Sequence, residues 1–179
     1  MKVVFLDVDG VLNTSKTFER VYHSFKNTGK KELEIDSFRL EYLKKIIDET
    51  GAKIVLSSTW RRFFQKLDNK IVPRNERGKQ FYDMLNNYNI EIYDILSFDS
   101  DINREELIID WLSKNEVDSF IIIDDEPSLF NILLDNLIRT SKTKNNQMLT
   151  NMDDCFGLCE HHIEIAKKML KTKVKVKKQ

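Results

Sequence analysis

The sequence has little of several residues that mark special classes of protein. It contains two cysteines, two prolines and five glycines among 179 residues. Two cysteines are too few for a disulfide framework, and the scarcity of glycine and proline argues against long flexible linkers. No uninterrupted apolar run reaches membrane-spanning length. The chain therefore suits one compact domain with an apolar core and no membrane partner.

The chain also lacks an excess of either charge, with 29 basic and 29 acidic residues. A net charge of zero gives no general case for nucleic-acid binding. The distribution is uneven, because residues 167–179 hold seven lysines and no acid, which leaves 22 basic against 29 acidic residues elsewhere. The basic tail, residues 171–179, is either a weak contact for nucleic-acid phosphates or a solvated terminus.

The most informative stretch is an apolar run, residues 3–6, that leads into Asp7, Asp9 and Gly10. An extended backbone places Asp7 and Asp9 on the same side. Two nearby carboxylates repel each other unless a cation or a shared proton lies between them, and Mg²⁺ is the natural hard cation for such oxygens. The alternative is a strand end with two solvated acids at a turn. The same acids interrupt the N-terminal apolar stretch, so it lacks the form of a signal peptide and we expect a cytoplasmic protein.

Hydrophobic periodicity predicts alternating strands and helices. We predict strands at residues 2–7, 53–56, 90–96, 120–123 and 137–140. We predict helices at residues 37–49, 75–88, 103–114, 129–134 and 153–170. Residues 60–67 are predicted to form the start of a further helix. Residues 13–35 and 142–150 are predicted as loops. Alternating elements favour a parallel sheet covered on both faces, with functional groups at the carboxyl ends of its strands.

Three predicted strands end in side chains that can act in catalysis or bind ligands, namely Asp7 and Asp9, Ser57 and Ser58, and Asp124 and Asp125. Between the second and third of these strand ends, a basic residue opens a predicted helix. The order of these four motifs along the chain resembles the haloacid dehalogenase (HAD) superfamily. The resemblance covers nearly the whole chain, and its first and last motifs are the specific ones. It implies an α/β, three-layer Rossmann-like HAD fold with a central parallel sheet in residues 1–170.

The resemblance implies a Mg²⁺-dependent phosphatase. Asp7 matches the nucleophile that forms an aspartyl-phosphate, and Asp9 matches the general acid and base. A carboxylate at the second position is typical of phosphatases and phosphomutases rather than dehalogenases or transport ATPases. The implied metal ligands are Asp7, the backbone carbonyl of Asp9, Asp124 and, directly or through water, Asp125.

Two further side chains complete the implied catalytic set. Ser57 matches the hydroxyl that hydrogen-bonds a phosphoryl oxygen, although it could also cap a helix. Arg104 matches the cation that steadies the nucleophile and the phosphate, whereas the alternative is a surface arginine. Lys114 is the rival cation, but it closes the predicted helix rather than opening it.

A closer likeness is to the small HAD family named for "Swiss Army knife" RNA-repair proteins. It rests on Ser57-Ser58-Thr59-Trp60-Arg61, Arg104, Trp111-Leu112, the Ile-Asp-Asp-Glu motif, Arg139-Thr140 and Leu149-Thr150. Family members often have glycine before the final Leu-Thr, where this chain has Met148. The likeness makes Ser58 and Arg61 candidate substrate contacts, although Arg61 could equally be a surface charge.

The chain has no room for a large cap domain, and residues 14–35 form at most a flap or minimal cap. An open site favours a bulky phosphorylated substrate, such as a nucleic-acid end or a phosphoprotein, because the substrate itself must exclude water. A flap carrying Tyr22 and Phe25 could instead cover a nucleotide. A non-catalytic HAD-fold binding module is the alternative to an enzyme.

Two other patterns are better explained by packing. Trp60 and Trp111 are expected to anchor the core. Cys155, Cys159 and His162 would share one face of the predicted closing helix, where they could bind a soft metal, but no fourth ligand is evident and buried cysteines are more common.

Overall fold

The computed structural model describes residues 1–98, 101–141, 143–144, 147–148 and 157–171. In chain order its elements are β1 (Lys2–Leu6), α1 (Ser15–Thr28), α2 (Ser37–Thr50), β2 (Lys53–Leu56), β3 (Phe64–Leu67), β4 (Lys70–Pro73), α3 (Glu76–Asn87), β5 (Ile92–Ile95), α4 (Arg104–Ser113), β6 (Ser119–Asp124), β7 (Leu137–Arg139), β8 (Thr143–Lys144), β9 (Gln147–Met148) and α5 (His161–Lys171). None of the described helices combines the length and the apolar character needed to cross a membrane.

A five-stranded sheet with the order β5-β2-β1-β6-β7 forms the centre of the fold. All of its pairings are parallel. The most apolar strands, β1 and β6, lie next to each other, as burial on both faces requires. The chain runs outward from β1 through β2 to β5 and then returns to the other side of β1 with β6. The strand order therefore reverses between β1 and β6, which is where ligands bind in sheets of this kind.

Alternation along the strands supplies a separate core on each face of the sheet. Val4 and Leu6 point to the face that α2, α3 and α5 cover, whereas Val3 and Phe5 point to the face that α4 covers. On the second face, Trp111 of α4 packs edge-on against Phe5 with ring centroids 5.4 Å apart. This is the three-layer α/β architecture that the sequence predicts, and the residues that the structure describes form no large cap.

Three of the predicted helices have a capping residue at one end. Asn75 caps α3 by accepting a hydrogen bond from Gly78 at 2.8 Å, and Asn103 caps α4 by accepting one from Glu106 at 2.9 Å. Gly51 ends α2 in the left-handed conformation with φ 68°. Capping therefore fixes where α3 and α4 begin and where α2 ends before β2.

The prediction of a loop over residues 13–35 was wrong, because α1 occupies Ser15–Thr28. Thr14 and Thr17 form a reciprocal capping box at its start, and Gly29 ends it with φ 71°. The loop prediction overlooked Phe18, Tyr22 and Phe25, which recur at helical spacing. The core buries only Thr17 and Val21 of this helix.

The helix predicted from Trp60 was also wrong. A short 3₁₀ turn, Thr59–Phe63, leads into an antiparallel hairpin of β3 and β4. Asp68 and Asn69 form the two-residue connection and both have positive φ, 49° and 61°. Such turns favour Asp and Asn because these residues tolerate the left-handed conformation. The segment after Ser57 thus holds a hairpin where a helix was predicted.

Later parts of the chain differ from the predictions in detail. Two 3₁₀ turns, Pro127–Leu129 and Leu134–Asn136, replace the helix predicted at 129–134. The predicted polar loop at 142–150 contains the short antiparallel pair β8 and β9, and its remaining residues lie outside the described ones. The closing helix begins at His161 instead of 153. Gly157, with φ 90°, stands before it in non-helical backbone.

Candidate active site

Three carboxylates meet where β1 and β6 end. Asp7 follows β1, and its backbone N–H donates to the carbonyl of Ile123 in the neighbouring strand at 3.0 Å. The register that pairs Leu6 with Ile123 brings Asp7 beside Asp124. One carboxylate oxygen from each of Asp7, Asp124 and Asp125 lies within 4.8 Å of the others. The structure therefore gathers three of the predicted metal ligands at the switch point of the sheet.

The electrostatics of this cluster favour a cation. Burial raises the pKa of Asp7 to about 6, opposed by Arg104 and reinforced by Asp124. Burial also raises the pKa of Asp125 to about 6. For Asp124, too, burial is the main cause of a raised pKa. A hard divalent ion would relieve this strain, because carboxylate oxygens are its preferred ligands. The all-oxygen donor set fits Mg²⁺ better than a soft metal.

Arg104 is the cation of the cluster and opens α4, as predicted. Its Nη1 pairs with Oδ2 of Asp124 and lies 3.3 Å from Oδ1 of Asp7. Burial alone would lower the pKa of Arg104, but the two carboxylates raise it, so the guanidinium stays charged. Lys114, the rival candidate, instead pairs with Asp110 on the exposed end of α4.

Ser57 follows β2 and is fully buried. Its backbone N–H donates to the carbonyl of Leu6 at 3.0 Å, which places it one strand away from Asp7. Among the described residues, its Oγ has no hydrogen-bond partner. Ser58, not Ser57, caps the turn that follows by accepting from Trp60 N–H at 3.3 Å. The helix-cap explanation of Ser57 is therefore wrong, and its unpaired hydroxyl is available to a ligand.

Ser58 and Arg61 both form hydrogen bonds to other groups of the site. The Ser58 hydroxyl hydrogen-bonds the Asp7 side chain and helps to lower its pKa. Nη1 of Arg61 donates to the carbonyls of Ser57 at 2.9 Å and Ser58 at 3.0 Å, and its Nε donates to Ser97 at 3.2 Å. Arg61 thus fixes the loop after β2, and direct contact of either side chain with a substrate stays a prediction.

Asp9 lies at the exposed edge of the site, and the carboxylate cluster described above is built without its side chain. Its Oδ1 accepts from Nδ2 of Asn13 at 2.8 Å, and its Oδ2 accepts from the indole N–H of Trp60 at 3.0 Å. Trp60 is buried, as expected of a core anchor. Its hydrogen bond to Asp9 could not be predicted from the sequence, because only the folded loop shows which acceptor the buried indole reaches.

The loop between Asp9 and Val11 packs tightly against the end of β6. Gly10 has φ 75°, and a Cβ there would lie 2.3 Å from Cγ of Asp125. Only glycine allows this close approach with that backbone conformation. Thr140 Oγ1 donates to the Gly10 carbonyl at 2.9 Å, and Ser141 donates to the Asp125 carbonyl. The glycine of the Asp-x-Asp-Gly motif thus gives the Asp125 side chain its space.

A second group of potential ligands does not form a convincing metal centre. Atoms of Cys159, His161 and His162 lie within 4.8 Å of one another, but Cys159 precedes α5 and Cys155 is outside the described residues, so the predicted helix-face spacing is wrong. His162 Nδ1 accepts from Cys159 N–H at 3.0 Å, and its ring also hydrogen-bonds the backbone of Arg139. Burial lowers the pKa of His162 to about 4. His162 therefore serves as a neutral, buried link between segments.

A groove between α1 and α3 adjoins the Asp9 side of the site. One of its walls consists of half-exposed aromatic side chains, Phe18, Tyr22 and Phe25. Its opposite wall contains Arg77, whose guanidinium lies 4.6 Å above the Trp60 ring and pairs with Glu34 at 2.7 Å. Because Trp60 hydrogen-bonds Asp9, the groove is two side-chain contacts away from that carboxylate.

Comparison with known proteins gives one family. A family model described as the HAD domain in Swiss Army Knife RNA repair proteins matches residues 3–146. The matched range contains every residue predicted to be catalytic, to bind substrate or to hold metal. No curated protein and no solved structure matches the chain.

Proposed function

The chain belongs to the family of HAD domains found in Swiss Army knife RNA repair proteins, which indicates a HAD-type hydrolase, and we propose that it is a Mg²⁺-dependent phosphomonoesterase. The observation that carries this proposal is the carboxylate cluster around Asp7 with Arg104 set against it. It offers a nucleophile, a cation site and a counter-charge at one point. We retain the cytoplasmic location expected from the sequence as part of the proposal.

In the proposed reaction, Asp7 attacks the phosphorus atom of the substrate and forms an aspartyl-phosphate while the bond to the leaving oxygen breaks. Arg104 offsets negative charge on the transferring group, and the Ser57 hydroxyl donates to one of its oxygens. The unpaired hydroxyl of Ser57 supports this assignment, because a buried donor without an acceptor costs stability unless a ligand uses it.

Asp9 is the proposed proton carrier. It donates a proton to the leaving oxygen in the first step and takes one from the water that attacks the aspartyl-phosphate in the second. Inorganic phosphate then leaves, and Asp7 and Asp9 return to their starting states. The exposed position of Asp9, at the edge where substrate would enter, suits exchange with both the leaving group and water.

Asp7, Asp124 and Asp125 are the side chains proposed to hold Mg²⁺, with the backbone carbonyl of Asp9. The bound ion would supply charge neutralisation for the phosphoryl group. Their raised pKa values support the assignment, because acids that are crowded and buried gain most from a shared cation.

We propose nucleotides or nucleic-acid ends as substrates, and the charges around the site support this class. Residues 14–31 hold five basic residues and one acidic residue, and residues 59–79 hold seven and two, which gives net charges of +4 and +5. These segments follow β1 and β2 at the carboxyl edge of the sheet. Four of these basic residues pair with acids outside the two segments, which offsets four of the nine net positive charges: Arg20 with Glu32 at 3.3 Å, Lys66 with Asp94 at 3.1 Å, Arg77 with Glu34 at 2.7 Å and Lys79 with Asp83 at 2.6 Å. Positive segments of this kind attract a phosphate backbone.

The decisive experiment measures hydrolysis of an aryl phosphate with and without Mg²⁺. We expect activity that requires Mg²⁺ and is lost in Asp7→Asn, which keeps the shape of the nucleophile but not its charge. Asp83→Asn is the matched control, because Asp83 pairs with Lys79 on the exposed face of α3. Full activity in Asp7→Asn would remove the nucleophile assignment. Absence of activity together with absence of Mg²⁺ binding would favour a non-catalytic binding module.

A panel of phosphorylated substrates tests the substrate class. RNA and DNA oligonucleotides with terminal phosphates, mononucleotides and phosphopeptides would be compared by kcat/KM at one ionic strength. We expect the oligonucleotide ends to be preferred over phosphopeptides. Turnover of mononucleotides with no reaction at oligonucleotide ends would restrict the proposal to nucleotides.

A further inference from the structure

Both carboxylate oxygens of Asp9 accept hydrogen bonds from side chains that the core holds rigidly. Oδ1 accepts from Asn13 at 2.8 Å, and Oδ2 accepts from Trp60 at 3.0 Å. The two donors are buried, while the carboxylate they bind is exposed. Each carboxylate oxygen has a second lone-pair direction, so both donors can stay in place while Asp9 handles a proton.

The direction of the Trp60 indole is set by packing on several sides. Its ring packs edge-on against Phe81, with centroids 5.1 Å apart, and against Phe63, with centroids 5.7 Å apart. The guanidinium of Arg77 lies 4.6 Å above the same ring. These contacts fix the orientation of the Trp60 ring independently of its hydrogen bond to Asp9, and so they fix the direction of its N–H.

Asn13 is fixed in the same way by the backbone. Its Nδ2 donates to the Glu34 carbonyl at 3.0 Å as well as to Asp9, and its Oδ1 accepts from the Gly10 N–H at 3.0 Å. Asn13 is fully buried. One amide thus ties the Asp9 loop to the segment that follows α1.

We propose that Trp60 and Asn13 are positioning residues that hold the Asp9 carboxylate in one orientation for proton transfer. This inference rests on the proposed function. An unrestrained aspartate at this exposed edge could rotate into solvent, and that rotation would remove it from the leaving oxygen. Two donors on two oxygens fix both the side-chain rotamer and the plane of the carboxylate.

Trp60→Phe tests the proposal, because it retains an aromatic ring and removes the N–H. The matched control is Trp111→Phe. Trp111 is buried on the opposite face of the sheet and donates its own indole N–H to Oδ2 of Asp94 at 2.9 Å. The two variants lose the same kind of hydrogen bond, but only one of those bonds reaches Asp9.

With an alkyl phosphate substrate we expect Trp60→Phe to lower kcat about tenfold and to change KM less than twofold. A tenfold loss is part of the rate enhancement of ~10²–10⁴ that a positioned proton donor contributes. Trp111→Phe should leave kcat within twofold of wild type. In an Asp9→Asn background, Trp60→Phe should have no further effect on kcat, since the group it positions has lost its function. An equal loss in both backgrounds, or an equal loss in the two Trp variants, would overturn the proposal.

A second measurement is independent of activity. The two indole N–H resonances can be assigned by NMR with the two Trp variants, and Asp9→Ala should shift the Trp60 resonance while leaving that of Trp111 in place. An unshifted Trp60 resonance would refute the contact itself. A wild-type protein without Mg²⁺-dependent phosphatase activity that still shows the shift would instead count against the proposed function, and with it against a catalytic purpose for the contact.

Discussion

Asp7 and Asp125 hold protons more tightly in the folded protein than in the unfolded chain, because burial raises both pKa values from 3.8 to about 6. Between pH 4 and 6, roughly, the folded state therefore binds more protons than the unfolded state. By linkage, these groups lower the free energy of unfolding as the pH rises through that window and through the folded pKa, and the loss is complete by about pH 7. The acids must be ionised to bind a cation, so proton binding and ion binding oppose each other.

We therefore predict a pH-dependent stabilisation by Mg²⁺. At pH 7.5 and at about a hundredfold excess over Kd, the ion should raise Tm by about 5–10 °C, and at pH 5 it should raise Tm much less, because protons compete for the same oxygens. Thermal unfolding followed by circular dichroism measures both. Asp124→Asn should abolish the shift and Asp83→Asn should keep it. An equal shift at both pH values would show that the ion binds elsewhere.

Ser57 separates function from stability. In Ser57→Ala the buried unpaired hydroxyl is gone, so the free energy of unfolding should stay the same or rise by up to about 1 kcal/mol, whereas kcat/KM should fall about a hundredfold through loss of a donor to the phosphoryl group. Urea unfolding and steady-state kinetics measure the two effects.

Ser119→Ala is the control for Ser57→Ala. Ser119 is also buried, but its Oγ donates to the Leu170 carbonyl at 2.9 Å. Its loss should lower the free energy of unfolding by about 1 kcal/mol and leave kcat/KM unchanged. A large loss of stability in Ser57→Ala, equal to that of the control, would mean that its hydroxyl has a structural partner.

At the scale of elements, the sequence predicted best where burial and capping agree. The strands with continuous apolar residues and the helices α2, α3 and α4 were placed correctly, and so was Arg104 at the start of α4. The β3–β4 hairpin was missed because its strands alternate weakly and its Asp68-Asn69 turn is an uncommon variant of the Asn-Gly and Asp-Gly signals.

The loop prediction missed helix α1, whose apolar side chains form an exposed stripe instead of a buried one. Phe18, Tyr22 and Phe25 recur at helical spacing, but they are 44%, 54% and 42% exposed. A periodic pattern indicates a face, and the sequence does not show what that face meets. The same limit applies to Trp60 and Asn13, whose contacts with Asp9 depend on a loop that only the folded chain defines.

The exposed stripe predicts a contribution to binding of nucleic acid. Tyr22→Ala combined with Phe25→Ala should lower kcat/KM for an oligonucleotide end about fivefold to a hundredfold, since stacking of one base on an aromatic ring contributes about 1–3 kcal/mol. The same variant should hydrolyse an aryl phosphate normally, because the stripe is separated from Asp7.

Tyr93→Ala serves as the control for the double variant. Tyr93 is 41% exposed and belongs to the edge strand β5, away from the groove. A matching loss in the Tyr93 variant, or equal losses on both substrates in the double variant, would argue against stacking in the groove.

At the scale of the whole molecule, a net charge of zero conceals a strong separation of charge. Residues 14–31 and 59–79 together carry +9, and the chain positions both at the carboxyl edge of the sheet. The total charge argued against nucleic acid at the level of sequence, whereas the folded arrangement supports a polyanionic substrate.

Salt should therefore act on one class of substrate more than on another. Raising the salt concentration from about 50 to 200 mM should raise KM for an oligonucleotide end several-fold, because counterions compete for the basic segments. KM for an aryl phosphate should change much less, since that substrate is too small to reach those segments. Equal salt dependence for both substrates would contradict this use of the basic segments.

Asp7 and Asp124 occupy neighbouring strands although they come from distant parts of the chain. During synthesis on the ribosome, the proposed nucleophile Asp7 emerges early and remains without Asp124 until β6 has been made and inserted beside β1. A prematurely terminated product that ends before β6 would carry the Asp-x-Asp-Gly motif without the other two carboxylates of the cluster. Under the proposed function such a fragment would be inert rather than weakly active, so the order of the strands would keep unfinished chains from acting on phosphorylated substrates.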